Sequence, residues 1–89
     1  MRAVVDIETD AINATKIHCI VARSKETGQT KHWIGDECHD FREWSKKIDT
    51  FIMHNGVSFD APLLNKFTGS DIRVDQIDDT LIKSQLYNP

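Results

Sequence analysis

Residues 2–9 form an uninterrupted run rich in β-branched side chains, with no Gly, Pro or Asn inside it. Such a run predicts a strand that is buried on both faces and therefore central in a sheet. Two further strands are predicted at residues 16–23 and 29–34, joined by a short polar turn that ends at Gly28. Strands linked by short turns form an antiparallel meander, and the polar third strand suits its edge.

The second half of the sequence alternates helical and strand patterns. A helical spacing of apolar side chains predicts a short amphipathic helix that begins after Asp40, its expected N-cap. The apolar run at residues 50–55 predicts a fourth strand, which is expected to be parallel to the first because it follows a helix. A second helix is predicted from about 59 to 67 with Gly69 as its C-cap. A short strand within residues 71–78 and a last helix complete the pattern.

This order of elements predicts an α/β fold on a mixed five-stranded sheet, with three antiparallel strands, then parallel strands, and helices packed against it. The 89 residues suffice for one domain, spanning 1–89. A net charge of −3 gives the whole chain no attraction for phosphate, so contact with nucleic acid must be local or use bound cations. Since no apolar run approaches the roughly 18 residues of a membrane span, we expect a cytoplasmic protein without membrane contact.

Two acidic residues, Asp6 and Glu8, lie at the end of the first predicted strand. Alternation along a strand places both carboxylates on one face, with Cα atoms about 7 Å apart. Unpaired carboxylates are costly to bury, and hard divalent cations are the partners that suit them best. For an isolated pair, a strand that becomes polar where it meets solvent is the more common explanation.

A third acidic residue, Asp60, opens the helix that follows the fourth predicted strand. Attraction to the helix dipole is an ordinary explanation for Asp60, as N-capping is for Ser58. If the fourth strand lies parallel beside the first, however, its turn brings Asp60 to the sheet end that carries Asp6 and Glu8. Three carboxylates gathered there would form a divalent-metal site.

Two segments together resemble the exonuclease domain of the DEDD superfamily, most closely the N-terminal proofreading domain of family A DNA polymerases from short-tailed bacteriophages. Residues 6–9 (DIET) are similar to the first exonuclease motif, and residues 54–62 (HNGVSFDAP) are similar to the second, which is highly specific. Residues 79–81 (DTL) are similar to a segment that follows in those polymerases. The resemblance spans nearly the whole chain and implies a ribonuclease H-like fold and a nucleic-acid-binding hydrolase of DNA replication.

The resemblance implies two-metal hydrolysis of phosphodiester bonds at the 3′ end of single-stranded DNA, with Mg²⁺ as the ion and Mn²⁺ as a substitute. Asp6 would bridge both ions, Glu8 would bind the nucleophile-side ion and orient the water, and Asp60 would complete the leaving-group side. The expected substrate-binding residues are Ile7, Thr9, Asn55 and Phe59.

The third motif of the family, Tyr-x-x-x-Asp or His-x-x-x-Asp, is not found: Tyr87 is followed only by Asn88 and Pro89. We therefore expect an N-terminal portion of an exonuclease domain, truncated at its C-terminus, with weak or no activity alone. Its partner would be the remainder of a polymerase chain or an accessory replication protein, in the host cytoplasm if a phage encodes it. The alternative is a non-catalytic binding or assembly module derived from this fold, able to form a homodimer through an uncovered apolar face.

The remaining candidate side chains have ordinary structural explanations. His18–Cys19 and Cys38–His39 lack the C-x-x-C spacing of structural zinc sites, and neighbours on a strand point to opposite faces. We interpret both cysteines as free thiols, because disulfide-dependent small domains carry several bridges. Trp33 and Trp44 are predicted to be packing residues, and His54 is predicted to belong to the turn at a strand end.

Overall fold

The computed structural model describes residues 1–9, 17–54 and 56–80. It contains five strands, which are β1 (Arg2–Thr9), β2 (Ile17–Ser24), β3 (Thr30–Ile34), β4 (Thr50–Met53) and β5 (Ile77–Asp79). The described α-helices are α1 (Phe41–Ser45) and α2 (Ala61–Thr68). Short turns of 3₁₀ or π-helix cover Gly35–Asp40, Gly56–Asp60 and Val74–Gln76.

The strands form one mixed sheet in the order β3-β2-β1-β4-β5. β1 pairs antiparallel with β2 and β2 antiparallel with β3, whereas β4 pairs parallel with β1 and β5 parallel with β4. This confirms the predicted α/β fold, with β1 at the centre and β3 at an edge, and it is compatible with a ribonuclease H-like fold. Because β1 and β4 are parallel, their C-terminal ends lie at the same edge of the sheet.

The hydrophobic core lies on one face of this sheet. Along β1, Ala3 and Val5 are buried while Val4 and Asp6 are exposed. The largest fully buried side chains, each contributing roughly 1.5–3 kcal/mol by burial, are Phe41, Phe51, Ile20, Met53 and Leu64. The prediction that β1 is buried on both faces is therefore wrong, because the described helices pack against one face only.

An aromatic cluster joins β3 to α1. Trp33 lies 5.1 Å from Phe41 and 5.2 Å from Trp44 between ring centroids, which confirms the packing role predicted for the tryptophans. The predicted N-cap is wrong, since Asp40 has helical backbone angles and makes no side-chain capping hydrogen bond. The preceding 3₁₀ turn replaces the cap, because the backbone N–H of Phe41 already donates to the carbonyls of Cys38 and His39.

α2 begins at Ala61, later than predicted, because a π-helical turn precedes it. It ends as predicted at Gly69, whose φ of 75° is left-handed and suits glycine. β5 begins only at Ile77, after a 3₁₀ turn, and ends at Asp79, one residue beyond the segment predicted to contain it. With 8 residues, α2 is far from the roughly 20 that a bilayer requires, and no helix in the described ranges can span a membrane.

Candidate functional site

Asp6 and Glu8 lie near the C-terminal end of β1, on the exposed face of the sheet. Their partners across β2 are Val21 and Cys19, which are both half-buried. The pairing register shifts immediately afterwards, between Glu8 and Thr9. Irregularities of this kind are common at sheet edges and next to functional sites. Because Asp6 and Glu8 are two residues apart on one strand, their carboxylates share one face, and both are open to solvent.

Asp60 lies in the connection between β4 and α2. Residues 56–60 form a single π-helical turn, and Asp60 is the residue directly before α2. Its side chain is buried, with 7% exposure, and it makes no capping hydrogen bond. Capping of the helix therefore does not explain a buried carboxylate at this position.

The charge of Asp60 is opposed by its surroundings. Burial is the main reason why the pKa of Asp60 is raised from 3.8 to about 6, and the carboxylates of Asp6 and Asp79 raise it further. The charges of these two acids act on Asp60 because the parallel pairing of β1, β4 and β5 brings three C-terminal strand ends to one edge. The result is a partly buried negative cluster that a cation would neutralise.

The donor chemistry of this edge fits a hard divalent cation, because Asp6, Glu8 and Asp60 offer carboxylate oxygens only. Glu8, however, is not among the charges that shift the pKa of Asp60. Within residues 1–9, 17–54 and 56–80, no group of three or more His, Cys, Asp or Glu side chains is arranged to hold a metal ion. The gathering of all three predicted ligands around one ion stays a prediction.

Gly56 allows the turn that carries Asp60 to pack closely on the sheet. A Cβ atom at Gly56 would lie 2.5 Å from the Cβ of Met53 and 3.2 Å from Cγ2 of Ile77. The first distance is far below van der Waals contact, so a side chain here would push the turn away from β4. Glycine is required by space rather than by φ, since the glycines with positive φ are Gly28, Gly35 and Gly69.

Asp79 is a candidate functional residue to which the sequence analysis gave no role in the site, although it noted residues 79–81. It ends β5, pairs with Met53 of β4 and is only 6% exposed. Its carboxylate accepts a hydrogen bond from the backbone N–H of Val57 at 3.1 Å, which ties the turn to β5. The two-residue alternation of Ile77 and Asp79 on the buried face was the available signal.

A cleft opens beside Asp6 on the exposed face, lined by Val4, Ile52, His54 and Thr80 among others. His54 Nδ1 and Thr80 Oγ1 are hydrogen-bonded at 2.9 Å, which joins the end of β4 to the residue after β5.

The predicted substrate-binding residues lie in different surroundings. Ile7 is on the face opposite Asp6 and packs against the core. Thr9 is half-buried at the C-terminal end of β1. Phe59 is half-buried near the end of the turn between β4 and α2. Asn55 lies outside the described residues. Their contacts with substrate stay predictions.

Cys38 belongs to the core rather than to this site. Its thiol donates to the carbonyl oxygen of Trp33 at 3.5 Å and approaches that of Ile17 at 3.9 Å. Burial raises the pKa of the Cys38 thiol, so it stays protonated and unreactive. Cys19 and Cys38 are both free thiols, as predicted.

Comparison with known proteins supports the fold. No protein-family model matches the sequence, and no curated protein matches it either. Among solved structures, the chain is similar to the family B DNA polymerase from the hyperthermophilic archaeon Pyrobaculum calidifontis, with a TM-score of 0.61 at 18% identity. The match covers 82% of this chain and 12% of that polymerase. The fold of this chain is therefore one that occurs within a DNA polymerase.

Proposed function

We propose that this chain is a 3′-5′ exonuclease domain of the proofreading type, acting on the 3′ end of single-stranded DNA as in family A polymerases of phages. The observation that carries the proposal is the buried carboxylate of Asp60, whose pKa is raised by burial and by neighbouring carboxylates that include Asp6. The resemblance of residues 6–9 and 54–62 to exonuclease motifs supports it, and so does a fold that occurs in a DNA polymerase.

Asp6, Glu8 and Asp60 are the residues that would hold Mg²⁺, or Mn²⁺ in its place. When bound, such ions supply hydroxide near neutral pH and stabilise the leaving 3′ oxygen. Asp6, whose charge acts on Asp60, would hold the cations together with Asp60. Glu8 is exposed on the same face and suits the orientation of the attacking water. Asp60 must lose its proton before it binds a cation, so cation affinity increases as the pH rises through about 6.

The acidic net charge of −3 does not oppose binding of DNA, because cations would lie between the site and the phosphate. The apolar side chains of Val4 and Ile52 beside Asp6 offer a surface for the terminal base. If a phage encodes the chain, its place of action is the cytoplasm of the host cell.

The test is degradation of a 5′-labelled single strand in the presence of Mg²⁺ or Mn²⁺. We expect slow loss of nucleotides from the 3′ end, since the third exonuclease motif is not in this sequence. The substitution Asp6→Ala is expected to reduce this loss to background, because it removes an acid that would hold the cations. Asp36→Ala, which removes an exposed acid from the Gly35–Asp40 turn, serves as the matched control with unchanged activity. Cleavage that survives Asp6→Ala would overturn the proposal.

A non-catalytic binding or assembly module is the second candidate function. It is favoured by large apolar side chains that are exposed, with Val4 at 40% and Ile34 at 62%. Such a module would bind a partner or a second copy of the chain through these exposed apolar side chains. A chain that degrades no DNA with either cation and sediments as a dimer, but as a monomer after Val4→Asp, would favour this candidate over the exonuclease.

A further inference from the structure

We infer that Asp79 is a positioning residue of the candidate metal site, which holds the turn that carries Asp60 through its hydrogen bond with Val57. The inference rests on the proposed function, because it takes Asp60 as a metal ligand. The resemblance assigns no role in catalysis to this position.

The position of Asp79 makes it a firm anchor. It is buried at 6% exposure, and it belongs to a strand whose place is fixed by parallel pairing with Ile52 and Met53. From there its carboxylate accepts the N–H of Val57 at 3.1 Å. Val57 and Asp60 share one short turn, so an anchor on the first restricts the movement of the second.

Two contacts hold the beginning of this turn against the sheet. Gly56 packs against Met53 and Ile77 at a distance that leaves no room for a Cβ atom, and the next residue, Val57, donates to Asp79. Mg²⁺ requires near-ideal octahedral geometry at about 2.0–2.1 Å. A shift of Asp60 by roughly 1 Å is therefore enough to weaken its coordination.

The role needs a hydrogen-bond acceptor at position 79 but no charge. Asn offers a carbonyl oxygen in the same place as a carboxylate oxygen, whereas Ala offers none. Asp79→Asn is therefore expected to keep the turn in position, and Asp79→Ala is expected to release it. A residue that bound the ion through its charged carboxylate would lose affinity in Asp79→Asn nearly as much as in Asp79→Ala.

The experiment measures the affinity of the folded chain for Mn²⁺ by the electron paramagnetic resonance signal of the free ion. Asp79→Ala is expected to weaken binding about 10- to 100-fold, as loss of a supporting group around a metal site does. Asp79→Asn is expected to weaken it much less, because it loses the nearby negative charge but keeps the hydrogen bond. Asn65→Ala is the matched control: Asn65 bonds the backbone of Ile72 at 2.9 and 2.8 Å, so its loss lowers stability without changing the affinity.

A second variant removes the other half of the bond. Val57→Pro has no backbone N–H to donate, and it leaves the carboxylate of Asp79 intact. The inference predicts a loss of affinity in this variant although the charge of Asp79 is kept. If Asp79→Ala does not fold, this variant still tests whether the hydrogen bond between Val57 and Asp79 supports the affinity for Mn²⁺.

Equal losses in Asp79→Asn and Asp79→Ala would show that the carboxylate charge, and not the hydrogen bond to Val57, supports binding, and would overturn the positioning role. Unchanged affinity in both Asp79→Ala and Val57→Pro would overturn it too. A wild-type chain that binds no Mn²⁺ would overturn the proposed function instead. Hydrogen exchange of the Val57 amide then tests the anchor alone: we expect protection in the wild type and in Asp79→Asn and fast exchange in Asp79→Ala. Protection in Asp79→Ala would contradict the anchor.

Discussion

Asp60 is a residue whose surroundings disfavour its own charge. It is buried, and Asp6 and Asp79 add negative charge nearby. A carboxylate with a raised pKa in such a cluster is a frequent property of functional sites. Two of the three acids in this cluster come from segments that resemble exonuclease motifs, which is why we interpret the unfavourable charge as a place for a cation.

Asp60→Asn is expected to stabilise the metal-free protein at neutral pH. With a pKa of about 6 in the folded chain against 3.8 ordinarily, the folded state binds more protons than the unfolded state between these values. Stability therefore falls as the pH rises from about 4 to 6, by about 3 kcal/mol for a shift of roughly two units. Above about pH 6 the folded protein bears the full free-energy cost of a charged Asp60. The neutral side chain of Asn removes this cost.

Urea denaturation in EDTA, at pH 4.5 and at pH 7.5, measures this effect. The free energy of unfolding of Asp60→Asn is expected to exceed that of the wild type by more at pH 7.5 than at pH 4.5. Asp36→Asn, a substitution at an exposed acid, is the control without such a difference. A stability gain that is the same at both pH values would show that the charge of Asp60 does not destabilise the folded protein.

At the scale of the elements, the strands were more predictable than the turns. Runs of β-branched and apolar residues bounded by polar turns predicted β1, β2 and β3 from local sequence alone, and the helix predicted from about 59 to 67 contains most of α2. The turns at Gly35–Asp40 and Gly56–Asp60 were not predictable in this way, because tertiary contacts contribute to their geometry. The N–H of Val57, for example, bonds to Asp79, which is distant in sequence.

Gly56→Ala is expected to displace the turn that carries Asp60. The new Cβ would lie 2.5 Å from the Cβ and 2.8 Å from the Sδ of Met53, and the Cβ cannot move without the backbone. Overpacking of this kind costs about 1–3 kcal/mol. We expect this loss in urea denaturation together with a weaker affinity for Mn²⁺.

Gly69→Ala is the matched control for this substitution. It lies at the other end of α2 with a φ of 75°, where a side chain costs about 1–2 kcal/mol. It is expected to lower stability to a similar degree and to leave the affinity for Mn²⁺ unchanged. Equal affinities in the two variants would mean that the turn does not position the site.

The whole molecule is thin, with a shortest dimension of 19 Å, which is room for a sheet and one layer of helices. Asp6 and Glu8 lie on the face that the described helices leave open, and alternation along β1 was enough to predict that they share it. The position of Asp60 followed from the parallel pairing of β1 and β4. Burial of Asp79 was not predicted, because the short strand was expected within residues 71–78 and β5 extends to Asp79.

The most direct test of the metal site is paramagnetic broadening of backbone amide resonances by substoichiometric Mn²⁺. The account predicts that the strongest broadening falls on residues 6–8 and on residues around Asp60, and that Asp6→Ala abolishes it at both places. Broadening centred on another acidic segment, such as Asp36–Glu37, or spread evenly over the surface, would contradict a metal site formed by Asp6, Glu8 and Asp60.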